Sequence, residues 1–167
     1  MCRNSSTLFS ASADQGLMSY SINLSGEGSI LTSNIDAVVK KKASVTHMVA
    51  TDEHLYVLYS NSSFEILSAA DVNQVVKASA NLGDVTTFAL NSGKKEIWGC
   101  DKKGAILIFN AEDLSKVDPG KEIKTIYGHP GLSIAASPDG GSIMAVGDAK
   151  GYTTIFDGAS GDQKHYQ

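Results

Sequence analysis

The segment from Gly128 to Asp157 constrains the fold of this chain more than any other part. It reads as three short apolar strands joined by two tight turns, at residues 138–141 and 148–151. Both turns combine Asp with Gly, which supplies the positive φ angles that hairpin turns use. Strands that are this short and this tightly connected pair antiparallel, and one such unit is too small to be stable alone. The segment therefore predicts a sheet that packs against similar neighbours.

The same order of elements recurs along the chain. The pattern Asp-x-Lys-Gly occurs at 101–104 and again 47 positions later at 148–151, and Val45 of an earlier copy corresponds to Val85, 40 positions later. Repeats of roughly 40–45 residues are typical of β-propeller blades, each a four-stranded antiparallel sheet. We predict four blade segments, at residues 1–43, 44–82, 83–127 and 128–167.

Alternating apolar and polar residues place an outer, half-exposed strand between the copies. The candidates are Gln74–Ala78 and Glu122–Tyr127, with Ala37–Val39 as their counterpart in the first copy. We expect the first copy to lack its opening strand and to begin at Leu8, and an extra loop at 115–121 to explain the longer spacing. Since no segment has a convincing helical period, the chain is predicted to be all-β.

The number of blades bears on how the fold closes. The chain holds about three and a half four-stranded blades, whereas propellers close with roughly 4–8. An open array would leave strand edges bare, which favours aggregation. We therefore expect a partial propeller, completed by the remainder of a longer protein or by a second copy.

Composition and charge exclude several classes of protein. Hydrophobic residues make up 42% and charged residues 19% of the chain, as in ordinary soluble domains. The net charge of −4 speaks against broad attraction to nucleic acid, and we expect the basic run Lys40–Lys42 to be a solvated loop. No apolar run approaches the roughly 20 residues of a membrane span, and no signal-peptide core is present, so a cytoplasmic location is expected.

Cysteine and histidine positions show no spacing typical of metal or redox sites. These residues are Cys2, Cys100, His47, His54, His129 and His165. Cys100 is expected to be a small buried hydrophobe, His47 a core histidine on an inner strand, and Trp98 a core residue rather than a binding anchor.

The aspartates of the tight turns have both a structural and a ligand-binding interpretation. Asp139-Gly140-Gly141 lacks the Gly-Lys-Ser/Thr continuation of a phosphate loop, so we interpret it as a hairpin turn. Asp101 and Asp148 could carry calcium, but the lysines beside them, at 102, 103 and 150, argue against dense oxygen ligation. We predict turn roles for both, with no metal and no cofactor.

A catalytic role for His129 would require a nucleophile and an orienting acid. Ser133, Ser137 and Asp139 are near it in sequence, but no Gly-x-Ser-x-Gly frame surrounds them. We predict that His129 is structural and that the chain has no catalytic residues.

The last segment resembles a WD repeat. Gly128-His129 matches the opening of the repeat, and Phe156-Asp157 stands where Trp-Asp usually does. In WD repeats a His, a Ser or Thr, an Asp and the Trp form a buried hydrogen-bonded tetrad. The tetrad Asp lies six residues before the closing aromatic residue. At that position the last copy has Lys150 and the preceding copy has Lys103. Only the first copy keeps the Asp, as Asp14. His129 is therefore expected to form its hydrogen bond elsewhere.

This degenerate pattern is similar to that of the second propeller in the actin-interacting protein 1 family. The similarity is carried by Ile143–Gly161, by Asp84–Asn110 and by Leu8–Asp14. The resemblance implies part of a non-enzymatic scaffold that acts with cofilin to disassemble actin filaments, in the cytoplasm and on the actin cytoskeleton. That family has two seven-bladed propellers with its best-known actin and cofilin surface in the first, so no partner-binding residue is carried over to this chain.

Two alternatives stay open. One is a WD-repeat adaptor subunit of an unrelated multiprotein complex. The other is an enzyme built on a propeller, which would need convergent carboxylates or histidines on its inner strands. Those strands carry Thr, Ala, Val and Ser instead, so binding of protein partners is the favoured function.

Overall fold

The structure, a computed structural model, describes residues 2–3, 6–12, 16–21, 35–39, 43–79, 81–118 and 120–166. In these residues sixteen strands form four sheets of four antiparallel strands, and none of the described residues is helical. This confirms the predicted fold class, all-β and built of four-stranded antiparallel blades. The chain divides into two compact units, Met1–Asn81 and Leu82–Gln167, which are described separately below.

The first unit contains two sheets whose strands follow one another in chain order. The first sheet consists of β1 (Cys2–Arg3), β2 (Thr7–Ser12), β3 (Gly16–Ser21) and β4 (Ile35–Val39). The second sheet consists of β5 (Val45–Ala50), β6 (His54–Tyr59), β7 (Phe64–Ser68) and β8 (Val75–Ser79). Their shared core is fully apolar in its centre, with Phe9, Leu17, Leu55 and Leu67 each 0% exposed.

The predicted outer strands of this unit are confirmed, but the prediction for its first strand is wrong. β4 includes the segment expected at 37–39, and β8 overlaps the segment expected at 74–78, shifted by one residue. The first sheet does not begin at Leu8, because Cys2 pairs with Phe9 and Arg3 with Leu8 to form an opening strand. Two residues are too few to show the alternation by which a strand is recognised in a sequence.

The second unit has the same construction. The third sheet consists of β9 (Val85–Asn91), β10 (Glu96–Asp101), β11 (Ile106–Asn110) and β12 (Lys116–Val117). The fourth sheet consists of β13 (Gly131–Ala136), β14 (Ile143–Asp148), β15 (Thr153–Asp157) and β16 (Gln163–Tyr166).

Apolar side chains of the third and fourth sheets interlock to form the core of this unit. Trp98 is 1% exposed and its ring lies 6.4 Å from that of Phe156, which confirms its predicted core role. Cys100 is 0% exposed, as predicted. A Cβ at Gly131 would lie 2.2 Å from Cys100 Sγ, so β13 can approach β10 this closely only because residue 131 has no side chain.

The outer strand of the third sheet lies elsewhere than predicted. Lys116 and Val117, in the segment expected to be an extra loop, pair with β11 as β12. Residues 122–127, the predicted strand, form no strand, although they bond to residues 104–106 through a bridge between Lys124 and Ala105, a hydrogen bond from the Ile106 amide to the Ile123 carbonyl and one from the Thr125 amide to the Gly104 carbonyl. Alternation alone could not distinguish the two segments, because both follow β11 closely in the chain. The shorter segment, Lys116–Val117, comes first and pairs with the edge of β11.

The Asp-rich turns have the predicted structural roles. Asp101 Oδ1 accepts hydrogen bonds from the Lys103 and Ala105 amides, both at 2.8 Å. Asp148 Oδ1 accepts them from the Lys150 and Tyr152 amides, at 2.8 and 3.0 Å. The residues in the first turn are each 47 positions before their counterparts in the second, and the hydrogen bonds within the two turns correspond. The repeat in the sequence is therefore also a repeat in turn geometry.

The hairpin turn at Asp139 is likewise confirmed. Gly140 and Gly141 have φ angles of 98° and 89°, in the left-handed region that glycine tolerates. Hydrogen bonds from the Ser137 hydroxyl, and then from the hydroxyl and amide of Ser142, lower the pKa of Asp139 to about 2. Its carboxylate therefore stays ionised throughout the neutral range and keeps the turn closed.

The inner strand of three sheets contains a β-bulge at its second residue. The extra residues, which have no partner in the adjacent strand, are Thr46 in β5, Thr86 in β9 and Leu132 in β13. Thr46 donates to the Leu58 carbonyl at 3.1 Å, and Thr86 donates to the Cys100 carbonyl at 3.0 Å. A bulge leaves backbone groups unpaired, and the threonine hydroxyl supplies the missing donor.

Thr86 and Thr87 are adjacent threonines with opposite hydrogen-bonding environments, and this allows a matched test. The Thr86 hydroxyl is shared between the Cys100 and Gly131 carbonyls, whereas the buried Thr87 hydroxyl has no partner among the described residues. We expect Thr86→Val to lower the free energy of unfolding by about 1–2 kcal/mol and Thr87→Val to leave it unchanged or raise it. Urea denaturation monitored by Trp98 fluorescence measures both. Equal losses in the two variants would contradict the assignment.

The burial of Cys100 predicts its reactivity. Desolvation raises the pKa of the thiol to about 11, so the thiolate that reacts with disulfide reagents is scarce at neutral pH. In a Cys2→Ser background, we expect Cys100 to react slowly with Ellman's reagent in the native protein and completely in guanidinium chloride. Rapid modification of the native protein would contradict this.

Candidate functional site

Three aromatic rings gather at the end of the fourth sheet where β13 begins, β14 ends and β15 begins. The ring centroids of Tyr127 and Tyr152 are 4.8 Å apart, and that of His129 lies 5.8 Å from the first and 6.0 Å from the second. The His129 and Tyr152 rings are stacked, with an interplanar angle of 21°. Tyr127 is 56% exposed and Tyr152 38%, so the cluster lies at the surface of the protein.

His129 is held in place by a buried carboxylate. Its Nδ1 lies 3.1 Å from Asp148 Oδ2, and the Asp148 side chain is 1% exposed whereas that of His129 is 30% exposed. Burial opposes ionisation of Asp148, but hydrogen bonds from the Lys150 and Tyr152 amides and from His129 lower its pKa. An ionised Asp148 fixes the orientation of the imidazole.

The prediction that His129 forms its hydrogen bond away from the usual tetrad position is confirmed. Its partner is Asp148, two residues before Lys150. The preceding copy has no such pair, because Leu82 stands 47 positions before His129 and is buried. Asp14, the tetrad Asp predicted for the first copy, lies outside the described residues.

Leu132 adds an aliphatic side chain to the same end of the sheet. It is the bulged residue of β13, between the pairs Gly131–Asp148 and Ser133–Gly147, and it is 66% exposed. We call Tyr127, His129, Leu132 and Tyr152 the loop-end patch. Sequence patterns do not identify this patch. The alternation at residues 122–127 predicts that Tyr127 is in an outer strand, and only a comparison of Leu132 with Thr46 and Thr86 indicates an unusual position.

Two turns with exposed lysines flank the loop-end patch. The Thr125 amide donates to the Gly104 carbonyl at 2.8 Å, which holds the turn containing Lys102 and Lys103 against the segment leading to His129. The Ala149 amide donates to the Pro130 carbonyl at 2.9 Å, which holds the turn containing Lys150 on the other side. The site thus combines aromatic and aliphatic surface with positive charge at its margins.

The structure does not assemble the other groups that were weighed as catalytic partners of His129. Ser137 and Asp139 hydrogen-bond to each other in the turn at the far end of β13. The described residues contain no group of three or more side chains that could hold a metal ion. Among these same residues, no helix is long and apolar enough to cross a membrane.

The remaining predicted positions are in other strands or outside the described residues. His47 is on β5, as expected, and is half-buried, which lowers its pKa. His54 begins β6, and its ring packs edge-on against that of Tyr56 at 6.1 Å. Lys40–Lys42 lies outside the described residues, and His165 is in β16 with a side chain that is not described.

The pair His129–Asp148 can be tested against the equivalent Asp101, which caps the same turn without a histidine partner. We expect Asp148→Asn to lower the melting temperature more than Asp101→Asn does at pH 7, because it also weakens the contact with His129. The lowered pKa of Asp148 stabilises the fold above the pKa of an unfolded aspartate, about 3.9. The difference between wild type and Asp148→Asn should therefore shrink as the pH falls below about 4. A difference that grows on acidification would contradict the assigned contact.

No protein-family model matches the chain, and no curated protein matches it.

Proposed function

We propose that this chain is a non-enzymatic scaffold of the WD-repeat type that binds a protein partner through the loop-end patch. The observation that carries the proposal is the contact between the exposed rings of Tyr127 and Tyr152, at the end of the sheet where Leu132 is also exposed. Six large hydrophobic side chains are exposed among the described residues, and Tyr127, Leu132 and Tyr152 are three of them. Scattered exposed hydrophobics are ordinary, whereas a contiguous patch with a polar margin is typical of an interaction surface.

The composition of the patch supports protein binding in particular. Tyrosine presents a large, rigid surface and is enriched in the residues that dominate binding energies. The two tyrosines and His129 contact one another, so little side-chain freedom remains to be lost when a partner binds. The patch is therefore partly organised before any partner arrives.

We also propose that the chain catalyses no reaction. Asp148 contacts His129 Nδ1, as the orienting acid of a triad would, but Ser137, which would have to be the nucleophile, lies with Asp139 at the opposite end of β13. A triad-like mechanism needs these groups within hydrogen-bonding distance of one another. We assign His129 to the support of the aromatic cluster.

The partner we propose is the actin filament decorated with cofilin, at the cytoplasmic actin cytoskeleton. This choice rests on the resemblance of segments 8–14, 84–110 and 143–161 to the second propeller of the actin-interacting protein 1 family. The loop-end patch lies within or beside the last of these segments. It would supply a contact in addition to those that the family makes through its first propeller.

Co-sedimentation tests this function. We expect the chain to pellet with cofilin-decorated filaments and to remain mostly in solution with bare filaments. The double variant Tyr127→Ala with Leu132→Thr should weaken this binding about tenfold, because it removes two central contacts.

Ile143→Thr is the matched control, since Ile143 is 49% exposed at the other end of the fourth sheet. It should pellet like the wild type. Equal amounts in solution with and without decorated filaments would overturn the actin proposal. Pelleting that the double variant leaves unchanged would show that another surface makes the contact.

A further inference from the structure

We propose that two copies of this chain associate head to tail, with the uncovered face of the first sheet of one copy packed on the uncovered face of the fourth sheet of the other. These two faces are formed by residues other than those of the loop-end patch, so the contact goes beyond the proposed function. The packing of the fourth sheet on the third shows what kind of face covers a sheet in this protein.

The third sheet has a face that is covered by its neighbour. Ala89 pairs with Trp98, and Trp98 pairs with Ile108, so the three side chains form one row across the sheet. All three are buried in the core that the third sheet shares with the fourth. A row of this kind therefore belongs to a surface on which another sheet packs.

The fourth sheet has the same row, but it is not covered. Ala135 pairs with Ala145, and Ala145 pairs with Ile155. Ala145 and Ile155 stand 47 positions after Trp98 and Ile108, the buried residues of the third sheet. In contrast to those residues, Ala135 is exposed, and Ala145 and Ile155 are only half-buried. The fourth sheet therefore presents a surface that in the preceding repeat lies inside the protein.

This face of the fourth sheet is turned away from the third and is nearly free of charge. Met144 and Phe156 are buried against the third sheet, and side chains alternate between the two faces of a strand. In the described strands β13, β14 and β15, the one charged residue on the uncovered side is Asp157. Its carboxylate accepts hydrogen bonds from the amides of its own turn and lies 3.4 Å from Lys164 Nζ. Such a face suits packing against another sheet.

The first sheet presents the kind of face that covers. The fourth sheet packs on the third through Met144 and Phe156, which are paired across its second and third strands. Leu8 and Tyr20 are paired across the second and third strands of the first sheet. Because Phe9, next to Leu8, is buried in the core of the first unit, Leu8 and Tyr20 face away from that core. Both are only half-buried.

The face of the fourth sheet is shallow. Ala145 stands where the third sheet has Trp98, and Gly147 stands where it has Cys100. The two smaller residues leave space above the strands, and well-packed interfaces leave few voids. A sheet that covers this face must therefore carry larger side chains than the fourth sheet does.

The face of the first sheet has such side chains. Met18 lies two residues before Tyr20, as Thr154 lies two residues before Phe156, and it is the longer residue. Ser10 is small, but its hydroxyl donates to Tyr20 Oη, and Tyr20 Oη donates to Met18 Sδ, both at 3.3 Å. The polar groups of this face are thus paired with each other, so covering them strands no donor.

A second copy of the chain is the partner that these faces fit. Each copy has one face of each kind, and both faces are uncovered. A contact between two unlike faces closes when each copy makes it with the other, and otherwise continues into an open chain. Two copies contribute twice the four sheets of one, which stays within the roughly 4–8 blades with which propellers close. The structure therefore favours a closed dimer.

Sedimentation equilibrium of the full chain at micromolar concentration tests the inference. We expect a mass twice the 17.6 kDa of one chain. Since the two faces are almost uncharged, higher ionic strength should leave the association unchanged or strengthen it, whereas it weakens contacts between opposite charges.

Two variants place a carboxylate in the centre of either face. Ala145→Glu on the fourth sheet and Met18→Glu on the first should each weaken dimerisation more than about tenfold, because each buries an unpaired charge in the contact. An equimolar mixture of the two variants should regain the dimer mass. The first variant keeps an intact face on its first sheet, the second keeps one on its fourth sheet, and these two faces fit each other.

Val76→Glu is the matched control, because Val76 is 48% exposed on β8 and belongs to neither face. It should remain a dimer. Thermal melts followed by circular dichroism report whether each variant is folded. Ala135→Lys places the opposite charge on the same face of the fourth sheet and is also expected to be monomeric, so the test does not depend on one variant.

Three outcomes would overturn the inference. A monomeric wild type, or a dimer that persists in both Ala145→Glu and Ala135→Lys, would exclude the face of the fourth sheet as a contact between copies. A mixture of the two glutamate variants that stays monomeric would exclude head-to-tail packing. A mass that continues to rise beyond two chains with concentration would exclude the closed dimer.

Discussion

The carboxylate of Asp148 is the contact on which the arrangement of the fourth sheet's loop end depends. One of its oxygens caps the turn that leads into β15, and the other faces the ring of His129, which leads into β13. A buried carboxylate is unfavourable unless its oxygens are hydrogen-bonded, and here every contact that satisfies it also fixes a neighbouring segment. The positions of His129 and Tyr152, and through them Tyr127, follow from this one side chain.

Below the loop end of the fourth sheet, side chains of complementary size pack the third and fourth sheets together. Trp98 lies against Phe156, and the absence of a side chain at Gly131 gives room to Cys100. The Thr86 hydroxyl joins the sheets by reaching the Gly131 carbonyl at 2.8 Å. The rigid core explains how a surface cluster can be held in one geometry, since the strands that carry it cannot shift without disturbing close-packed neighbours.

Features specified by local chemistry were predictable, whereas those that depend on contacts distant in sequence were not. The turns at Asp101, Asp139 and Asp148 were recognised because Asp and Gly are required where they stand. The opening strand at Cys2–Arg3 was missed because two residues have no period. The outer strand at Lys116–Val117 was misplaced because residues 122–127 have the clearer alternation, yet the chain pairs with β11 before it reaches them.

The same distinction between local and long-range features applies to the candidate site. The sequence by itself determined that His129 had lost its usual partner position and that Asp148 would cap a turn, because both follow from spacing along one strand and one turn. Only the tertiary structure decided that these two residues meet, that Tyr127 and Tyr152 join them and that Leu132 is left exposed at a bulge. His129 and Asp148 are 19 residues apart in the sequence. Contacts between residues this far apart depend on strand register and on whether the connecting segments bring both residues to the same end of the sheet. Register is set by the packing of whole sheets, and no local pattern encodes it.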